Sequence, residues 1–443
     1  MAASPGVSIM HNSSVEKTNL QAWIVTLTAG LFFFYEFIQM NMISSLNQDL
    51  MLAFNVHATQ LGILTSCYFI SNVIFLLPAG QVLDRFSTRK VILVSLAICV
   101  GGTFLFGLAS NLFLAAIFRF LTGIGSAFCF LSCIRLASRW FPAKRMALIS
   151  GLIVTMAMLG GWVAQAPFNA LVEWLGWRHA VRIDAVFGLF IMLLIILLVR
   201  DYPAEHKNDL HLHRQQILDM GYLKTLRQSY LNLQNILCGI YTSLMNLPVF
   251  LMGAVWGSLY LEQIHHFTRG QATSITGMIF FGTVIGSPLA GWLSDHMGRR
   301  KLPMLIGSLI YLALILTIIY TPTLNLFSYL IAFFLLGLIT STQVISYPTV
   351  AESNPVALTA TSVSVVSFLT IGGGGAFFIP FFGWLMDFTE KMITGRVPTN
   401  AADYTNHSFY IAMLIMPVTA VIAFIVAAFI KETYCKRSNI TSA

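Results

Sequence analysis

Long apolar stretches, separated by short polar segments, run the whole length of the chain. A helix needs about 20 apolar residues to cross a bilayer core of roughly 30 Å, so each such stretch, ended at a charge, Pro or Gly, predicts one membrane helix. Twelve are predicted, over residues 22–46, 58–83, 89–109, 112–138, 145–172, 179–199, 232–261, 271–296, 302–320, 325–348, 357–387 and 407–430. The pattern therefore predicts an all-α integral membrane protein.

The amino-acid composition argues against two other classes of protein. With 57% hydrophobic and 9% charged residues, the chain cannot form a soluble surface. The formal net charge of +8 would suit a nucleic-acid binder, but such proteins collect Lys and Arg on one polar face. Here the basic residues lie between the apolar stretches. The predicted surrounding partner is a lipid bilayer, and no nucleic acid is expected.

The distribution of basic residues predicts the orientation in the membrane. If residue 1 is cytoplasmic, most of the 25 Lys and Arg residues fall in cytoplasmic segments, as the positive-inside rule requires. Both termini are then cytoplasmic, in the inner membrane if the organism is bacterial. Residues 1–20 lack an apolar stretch followed by a small-residue cleavage site, so we expect no removable signal peptide.

The longest polar interval follows the sixth predicted helix and divides the chain into two halves. The predicted segments are a cytoplasmic N-terminal tail, a six-helix bundle, a cytoplasmic linker, a second six-helix bundle and a cytoplasmic C-terminal tail, over residues 1–21, 22–199, 200–231, 232–430 and 431–443.

A loop motif occurs once in each half, after the second and the eighth predicted helices. Both copies place a Gly near the helix end, an Asp four residues later and then basic residues: Gly80, Asp84, Arg85 and Arg89 in the first, and Gly291, Asp295, Gly298, Arg299 and Arg300 in the second. Gly permits close helix approach, and a carboxylate at a helix end can accept hydrogen bonds from a neighbouring helix N-terminus. We interpret the motif as a latch that stabilises one gate state. The simpler alternative is a basic cytoplasmic loop with an incidental Asp.

Weaker copies of this pattern follow the fifth and the eleventh predicted helices, at residues 169–173 and 383–387, on the opposite membrane face. A motif on helices two and five of each half, on opposite faces, is what inverted three-helix repeats produce. We therefore predict two pseudo-symmetric six-helix bundles, each built from inverted three-helix repeats.

These motifs resemble those of the major facilitator superfamily, and the likeness covers all twelve helices. Residues 119–127, Arg-Phe-Leu-Thr-Gly-Ile-Gly-Ser-Ala, are similar to the family's fourth-helix pattern R-x-x-x-G-x-G-x-A, and residues 176–178, Gly-Trp-Arg, open the sixth helix. Val82, Ser87 and Thr88 depart from the family's first loop motif, so that latch is expected to be weaker than the second. The resemblance implies secondary transport, with a monomer as the family expectation.

Glu36 is the leading candidate for a transport residue, because an ionisable side chain at bilayer depth is costly unless it faces a cavity or a partner. Gln39 follows it at helical spacing on nearly the same face. A carboxylate shielded from water favours its protonated form, which would let Glu36 load and release a proton. The alternative is that Glu36 only bonds a neighbouring helix.

Arg119 stays charged, so it could hold an anionic substrate group or act on a nearby carboxylate. The resemblance associates a fourth-helix Arg with proton coupling, and a structural contact between helices is the alternative. Arg182 and Asp184 are two residues apart early in the sixth helix, which places them on different faces. We expect both to bridge to neighbours near the membrane interface.

Uncharged polar and aromatic residues are expected to complete the site. They are Trp162 and Gln165 in the first half, and Tyr241, Asn246, Trp256, Gln343 and Tyr347 in the second, with Thr340, Thr342 and Ser346 nearby. For the aromatic members, packing in the core or against lipid is an equal alternative. Pro248, Pro348 and the glycine run 372–375 predict flexible or discontinuous helices, as transporters often have.

The chain is therefore predicted to be a secondary transporter and not an enzyme. Its predicted substrate is a small polar or anionic metabolite, of the amino-acid or organic-acid class, moved by alternating access with protons as the coupling ion. The alternative is an exporter of a hydrophobic, drug-like or siderophore-like molecule, which the aromatic run at residues 32–37 would suit. The fifth helix lacks the family's antiporter signature, a Gly-Pro pair followed by two glycines, which favours uptake by symport or facilitated diffusion. We see no nucleophile–base pair, metal-ligand cluster or phosphate-binding loop in the sequence, so no catalytic residue, cofactor or metal is expected.

Overall fold

A computed structural model describes residues 6–141, 146–202, 227–321, 325–354, 359–395, 398 and 404–435. Within these ranges, the side chains of residues 6–19, 80, 81, 84, 85, 138, 146–148, 150, 359 and 360 are outside the description. The predicted latch side chains at Gly80, Asp84 and Arg85 therefore lie outside the described residues, as do most of the predicted linker and the outer parts of both predicted tails.

The first half contains six membrane-crossing helices, which we label α1 to α6. α1 is Gly6–Asn41 continued by Ile43–Phe54, α2 is Ala58–Arg85, α3 is Thr88–Phe106, α4 is Leu112–Ser126 continued by Cys129–Trp140, α5 is Met146–Val163 continued by Ala166–Leu175, and α6 is Trp177–Leu198. The break in α5 precedes Pro167, which stands in the first turn of the new segment, where the missing N–H of Pro is tolerated.

The second half contains α7 to α12. α7 is Leu233–Met245, π-helical Pro248–Gly253 and Trp256–His265; α8 is Arg269–Met297; α9 is Lys301–Tyr320; α10 is Leu326–Thr340, 3₁₀-helical Ser341–Ile345 and Ser346–Ser353; α11 is Thr359–Thr370, π-helical Ile371–Phe378 and Ile379–Thr394; α12 is Asn406–Met413 continued by Ile415–Phe429. Irregular turns thus occur at Pro248 and at the glycine run 372–375, as predicted. Pro348 lies in the segment Ser346–Ser353, just after the 3₁₀ turn Ser341–Ile345, so an irregular turn precedes this proline as well.

The described part of the chain contains twelve helices long and apolar enough to cross a membrane, which agrees with the sequence prediction. Because the number of crossings is even, α1 begins and α12 ends on the same side, together with the α2–α3 and α8–α9 loops. We call this side the terminal face. The opposite side, with turns at Asn55, Gly176, His266 and Gly395, is the distal face.

A carboxylate closes each half on the terminal face. Asp201, just after α6, accepts a hydrogen bond from the backbone N–H of Arg89 at the start of α3 (2.8 Å). Glu432, just after α12, accepts from the backbone N–H groups of Arg300 and Lys301 at the start of α9 (2.8 and 2.9 Å). Burial raises the pKa of Glu432, but these and two further backbone N–H donors outweigh it and hold the pKa below its ordinary value. The two halves therefore repeat one capping arrangement, which an anion at a helix N-terminus favours.

Two glycines let α8 and α10 touch backbone to backbone. A Cβ on Gly337 would lie 2.8 Å from the carbonyl carbon of Ile279, and one on Gly282 would lie 2.8 Å from the backbone nitrogen of Leu338. Small residues at such crossings let membrane helices pack through their backbones. This crossing therefore excludes any larger side chain.

Replacing Gly337 with Leu is expected to destabilise the second half, because the new side chain must displace the α8 backbone. Overpacking a tight core costs about 1–3 kcal/mol or more. Thermal unfolding of the purified protein measures the loss. Gly291→Leu is the control on α8, since a Cβ there meets nothing within 4 Å. A melting temperature of Gly337→Leu equal to that of the control would contradict the proposed contact.

Candidate functional site

Glu36, Tyr68 and Arg119 form a buried polar cluster inside the first half, on α1, α2 and α4. The Tyr68 hydroxyl donates a hydrogen bond to Glu36 Oε1, and the guanidinium carbon of Arg119 lies 4.7 Å from the centre of the Tyr68 ring. Glu36 is 4% exposed and Arg119 is 0% exposed. The two leading charged candidates therefore share a partner, Tyr68, that the sequence did not single out.

Gln39 joins this cluster to α3 and α6. Arg119 Nη1 donates to the backbone carbonyl of Gln39 (2.9 Å), and the Thr103 hydroxyl donates to its side-chain oxygen (2.8 Å). The Gln39 amide nitrogen donates to Asp184 Oδ2, and the Asp184 side chain is buried. We expected Asp184 near the membrane interface. The structure instead places it inside the first half, because α6 turns this face toward α1. Arg182 donates to the carbonyl of Arg178 on its own helix (3.2 Å).

Several atoms of the cluster have no hydrogen-bond partner among the described residues: Glu36 Oε2, Arg119 Nε and Arg119 Nη2. A buried polar atom left unpaired costs about 1–3 kcal/mol, and more when it belongs to a charged group. Such atoms mark a place that can take up water, a proton or a ligand group. With Glu36 and Asp184 both ionised and Arg119 positively charged, the net charge of the cluster is −1. One added proton makes the cluster neutral. At bilayer depth the neutral state is the less costly one.

The polar residues predicted in the second half differ in what they contact. Tyr241 is fully buried, and its hydroxyl bonds the carbonyl of Met304 and Thr342 Oγ1, both at 3.0 Å. It therefore joins α7 to α9 and α10. Gln343 Oε1 is buried without a partner among the described residues, and Asn246 and Tyr347 are half-buried. Ser346 Oγ is also buried without a partner among the described residues, so Gln343 and Ser346 are the members of this set with an available buried acceptor.

Gln165 lies at the contact between the two halves. Its Nε2 donates to the carbonyl of Gly253 (2.8 Å), and its Oε1 accepts from the Thr276 hydroxyl (2.7 Å). Trp162, one turn earlier on α5, packs edge-on against Phe281 with ring centres 5.1 Å apart. Both predicted residues of α5 are therefore engaged with α7 and α8.

Contacts between the halves continue from Gln165 toward the distal face. Asn47 Nδ2 donates to the carbonyl of Val255 (3.0 Å) and to Ser258 Oγ (3.1 Å). Trp256, at the same level, is fully buried and stacks on Phe382 with ring centres 5.6 Å apart. Trp256 therefore packs α7 against α11 beside this contact.

Asp387 of α11 binds the start of α2 in the other half. It accepts from the backbone N–H of Thr59 (2.8 Å) and from the Thr59 hydroxyl, and it lies 2.6 Å from His57 Nδ1. The Tyr404 hydroxyl of its own half also donates to it. The carboxylate thus caps α2 across the halves. We call the inter-half contacts of Gln165, Asn47 and Asp387 the distal seam.

The second loop motif forms an ion cluster on the terminal face. Arg300 Nη1 lies 2.6 Å from Asp295 Oδ1, and Nη2 lies 2.7 Å from Glu352 Oε1. Burial lowers the pKa of Arg300, but hydrogen bonds to Glu352 and Asp295 outweigh it and raise the pKa above its ordinary value. Gly298 ends α8 with φ +62°, and Arg299 is exposed. Asp295 therefore contacts a side chain of its own loop.

Comparison with known proteins identifies the family. Two matches to the model of the Major Facilitator Superfamily cover residues 27–379 and 244–442. The chain belongs to the Major Facilitator Superfamily. The predicted fold is thereby confirmed: twelve membrane helices form two pseudo-symmetric six-helix bundles, each with inverted three-helix repeats. The protein is an integral membrane transporter and not an enzyme.

Curated relatives of this Major Facilitator Superfamily member are distant. The "Probable sulfoacetate transporter SauU" of Cupriavidus necator is 24% identical over 58% of this chain and 61% of its own length. The "Probable hexose phosphate transport protein" of Chlamydia trachomatis is 23% identical over 83% of this chain and 82% of its own length. These two relatives thus carry names of transporters for small anions.

Solved structures of the superfamily share the fold at low sequence identity. A bacterial homologue of the human lysosomal transporter Spinster, in an inward-facing, unoccupied conformation, matches with a TM-score of 0.76 and 17% identity over 95% of this chain and 99% of that one. The D-xylose–proton symporter matches with a TM-score of 0.72 and 16% identity over 94% of this chain and 99% of that one. These likenesses establish the fold alone.

Sequence reasoning missed the capping carboxylates of this superfamily member, although a signal for them exists. A basic residue followed by an acidic one stands directly after the sixth and the twelfth helices, as Arg200-Asp201 and Lys431-Glu432. The repetition at matching places in the two halves could have pointed to them. The partners of Asp387 left no comparable signal, because they come from distant parts of the chain.

Proposed function

We propose that this protein is a proton-coupled secondary transporter that takes up a small anionic metabolite by alternating access. The cluster of Glu36, Arg119 and Asp184 carries the proposal, since it holds two carboxylates and one permanent cation at bilayer depth. The names of the relatives, sulfoacetate and hexose phosphate, support a small anion as the substrate class.

The charges of the cluster link proton binding to anion binding. While Glu36 and Asp184 are both ionised, their charge opposes the approach of an anion to Arg119. A proton on Glu36 Oε2, the atom without a described partner, removes that repulsion and leaves Arg119 Nε and Nη2 as donors for the anionic group of the substrate. Gln343 of the second half supplies an uncharged acceptor for a substrate hydroxyl. Proton and substrate therefore bind together, as symport requires.

The distal seam is one gate of the proposed cycle. Deeper in the membrane than the Asp387 contact, Ser66 also donates a hydrogen bond across the halves, to the carbonyl of Gly375 (3.1 Å). With both termini in the cytoplasm, a closed distal face corresponds to an inward-facing state. The loop motifs on the terminal face, including Arg89, Gly291, Asp295, Gly298, Arg299 and Arg300, are then proposed to hold the opposite, outward-facing state.

The aromatic run of α1, which would suit export of a hydrophobic molecule, is partly engaged in packing. Phe32 and Tyr35 are fully buried inside the first half. Phe33 packs against Phe37 with ring centres 5.0 Å apart, and Phe34 packs against Phe187 at 6.3 Å. Phe33, Phe34 and Phe37 are nevertheless half-buried, so the run keeps some exposed aromatic surface, and the direction of flux in proteoliposomes tests the exporter alternative.

Purified protein in proteoliposomes is expected to accumulate a labelled small anion when the outside is made acidic. A panel of sugar phosphates, short sulfonates and dicarboxylates covers the proposed class, with free hexoses as the uncharged control. Accumulation that collapses when a protonophore dissipates the gradient supports symport. Substrate extrusion under the same gradient would support the exporter alternative, and equal rates with and without the gradient would contradict proton coupling.

A further inference from the structure

A basic pocket on the terminal face lies outside the proposed transport site. It has a volume of about 590 Å³ and is lined by Gln21 of α1, by Ser87, Arg89, Lys90 and Leu93 at the start of α3, and by Arg200, Asp201 and Tyr202 after α6. Three cations and one carboxylate line it. The carboxylate already accepts hydrogen bonds from Ser87 and the Arg89 backbone, so the pocket has an excess of positive charge.

The basic side chains of the pocket have unused donors. Arg89 Nε is buried without a partner among the described residues, although Nη2 of the same side chain donates to the carbonyl of Ile196. The Lys90 ammonium and the Arg200 guanidinium form no hydrogen bond to a described side chain or backbone group. In the second half, by contrast, the Lys301 ammonium at the matching place donates to the carbonyl of Ala428 (2.5 Å). The Lys90 ammonium thus keeps free a donor that its counterpart Lys301 uses within the protein.

The pocket lies at the depth of the lipid headgroups. The apolar span of α1 begins at Leu20, that of α3 begins at Thr88 and that of α6 ends at Leu198, which places the lining residues at the ends of three spans. Within one helical turn toward the membrane centre, Val94 is 61% exposed and Leu197 is 65% exposed. A polar pocket above exposed apolar side chains matches a molecule with an anionic head and hydrocarbon tails.

We propose that this pocket binds the phosphate group of an anionic phospholipid, with its acyl chains on the exposed apolar side chains below. Basic pockets between membrane helices attract such headgroups electrostatically, each Lys or Arg near the surface adding to the attraction. The bound lipid bridges α1, α3 and α6, because each of these helices contributes to the lining. It is expected to stabilise the first half against thermal unfolding.

The test measures the melting temperature of the full-length protein in detergent with added short-chain phosphatidylglycerol, with phosphatidylcholine of the same chain length, or with inorganic phosphate. Phosphatidylglycerol is expected to raise the melting temperature by several degrees, through binding to the folded state, and the other two are expected to do so much less. The Lys90→Gln, Arg200→Gln double variant should lose this rise. The Arg299→Gln, Lys431→Gln double variant, which removes the same charge from the same face of the second half, should keep it.

A second measurement guards against a variant that fails to fold well. Native mass spectrometry of the same samples counts the phosphatidylglycerol molecules retained per protein, and the Lys90→Gln, Arg200→Gln variant should retain fewer than the control variant. Equal retention and equal stabilisation in both double variants would overturn the proposal. Stabilisation by inorganic phosphate to the same degree as by phosphatidylglycerol would assign the pocket to a soluble anion and overturn the lipid.

Discussion

Substituting Gln for Glu36 is expected to abolish proton-driven accumulation of substrate while leaving exchange of substrate across the membrane intact. Gln keeps the shape of the side chain and an oxygen that accepts the Tyr68 hydroxyl bond, but it cannot carry an exchangeable proton. For one proton per substrate, a gradient of about two pH units sustains at most about a hundredfold accumulation, since each unit corresponds to about 1.4 kcal/mol. In the variant, the ratio of internal to external labelled substrate in proteoliposomes should rise only to about one, as expected for equilibration without proton coupling.

Two further variants make this result specific. Glu173→Gln removes an exposed carboxylate on the distal face, and it should accumulate substrate like the wild type. Asp184→Asn removes the second carboxylate of the cluster, the one that accepts from Gln39. Loss of accumulation in Asp184→Asn but not in Glu36→Gln would move the proton site to α6. Undiminished accumulation in both variants would remove the cluster from coupling altogether.

Asp387→Asn is expected to open the distal seam. The substitution weakens the bonds from the Thr59 backbone and from His57 across the halves. Hydrogen bonds to charged groups contribute about 1.5–3 kcal/mol each, so the ratio of distal-open to distal-closed protein should rise about tenfold or more. The measurement is labelling of Ser258→Cys, a buried position in the seam, by a membrane-impermeant maleimide applied from the distal side, with the native cysteines as background.

Glu390→Gln provides the matched control for the seam. Glu390 is a buried carboxylate one turn further along α11, but it accepts from the Thr405 backbone (2.8 Å) and from Ser408 (2.6 Å) of its own half. Its loss should leave the labelling of Ser258→Cys unchanged. Labelling that stays at the wild-type level in Asp387→Asn, or that rises equally in both variants, would argue against a gate at Asp387.

The number and approximate bounds of the membrane helices were predictable, because the bilayer imposes a length and an apolar composition on each crossing. The division into two related halves was also predictable, since the loop motif repeats at matching places in the amino-acid sequence. Hydropathy could not foresee the π-helical turns of α7 and α11 in detail. Pro248 and the glycine run 372–375 marked where they occur, and Pro348 follows the 3₁₀ turn of α10 by three residues.

Candidate residues at the site were predictable one by one, but their contacts were not. Glu36, Gln39 and Arg119 were singled out by the cost of polar groups at bilayer depth, and the structure brings them together. Asp184 was expected near the interface, since helical spacing says which residues share a face but not which neighbour that face meets. The role of Asp387 depends on His57 in the other half, and no local pattern links residues so far apart in the chain.

The carboxylate after α12 has a practical consequence for anyone who attaches a reporter to this protein. Glu432 and Thr433 stand only a few positions beyond the last apolar residues, yet Glu432 holds the start of α9 and the Thr433 hydroxyl donates to Glu352 (2.5 Å). A fluorescent protein fused directly after Phe429 would remove these contacts and destabilise the terminal face of the second bundle. The same protein fused after Cys435 would spare them.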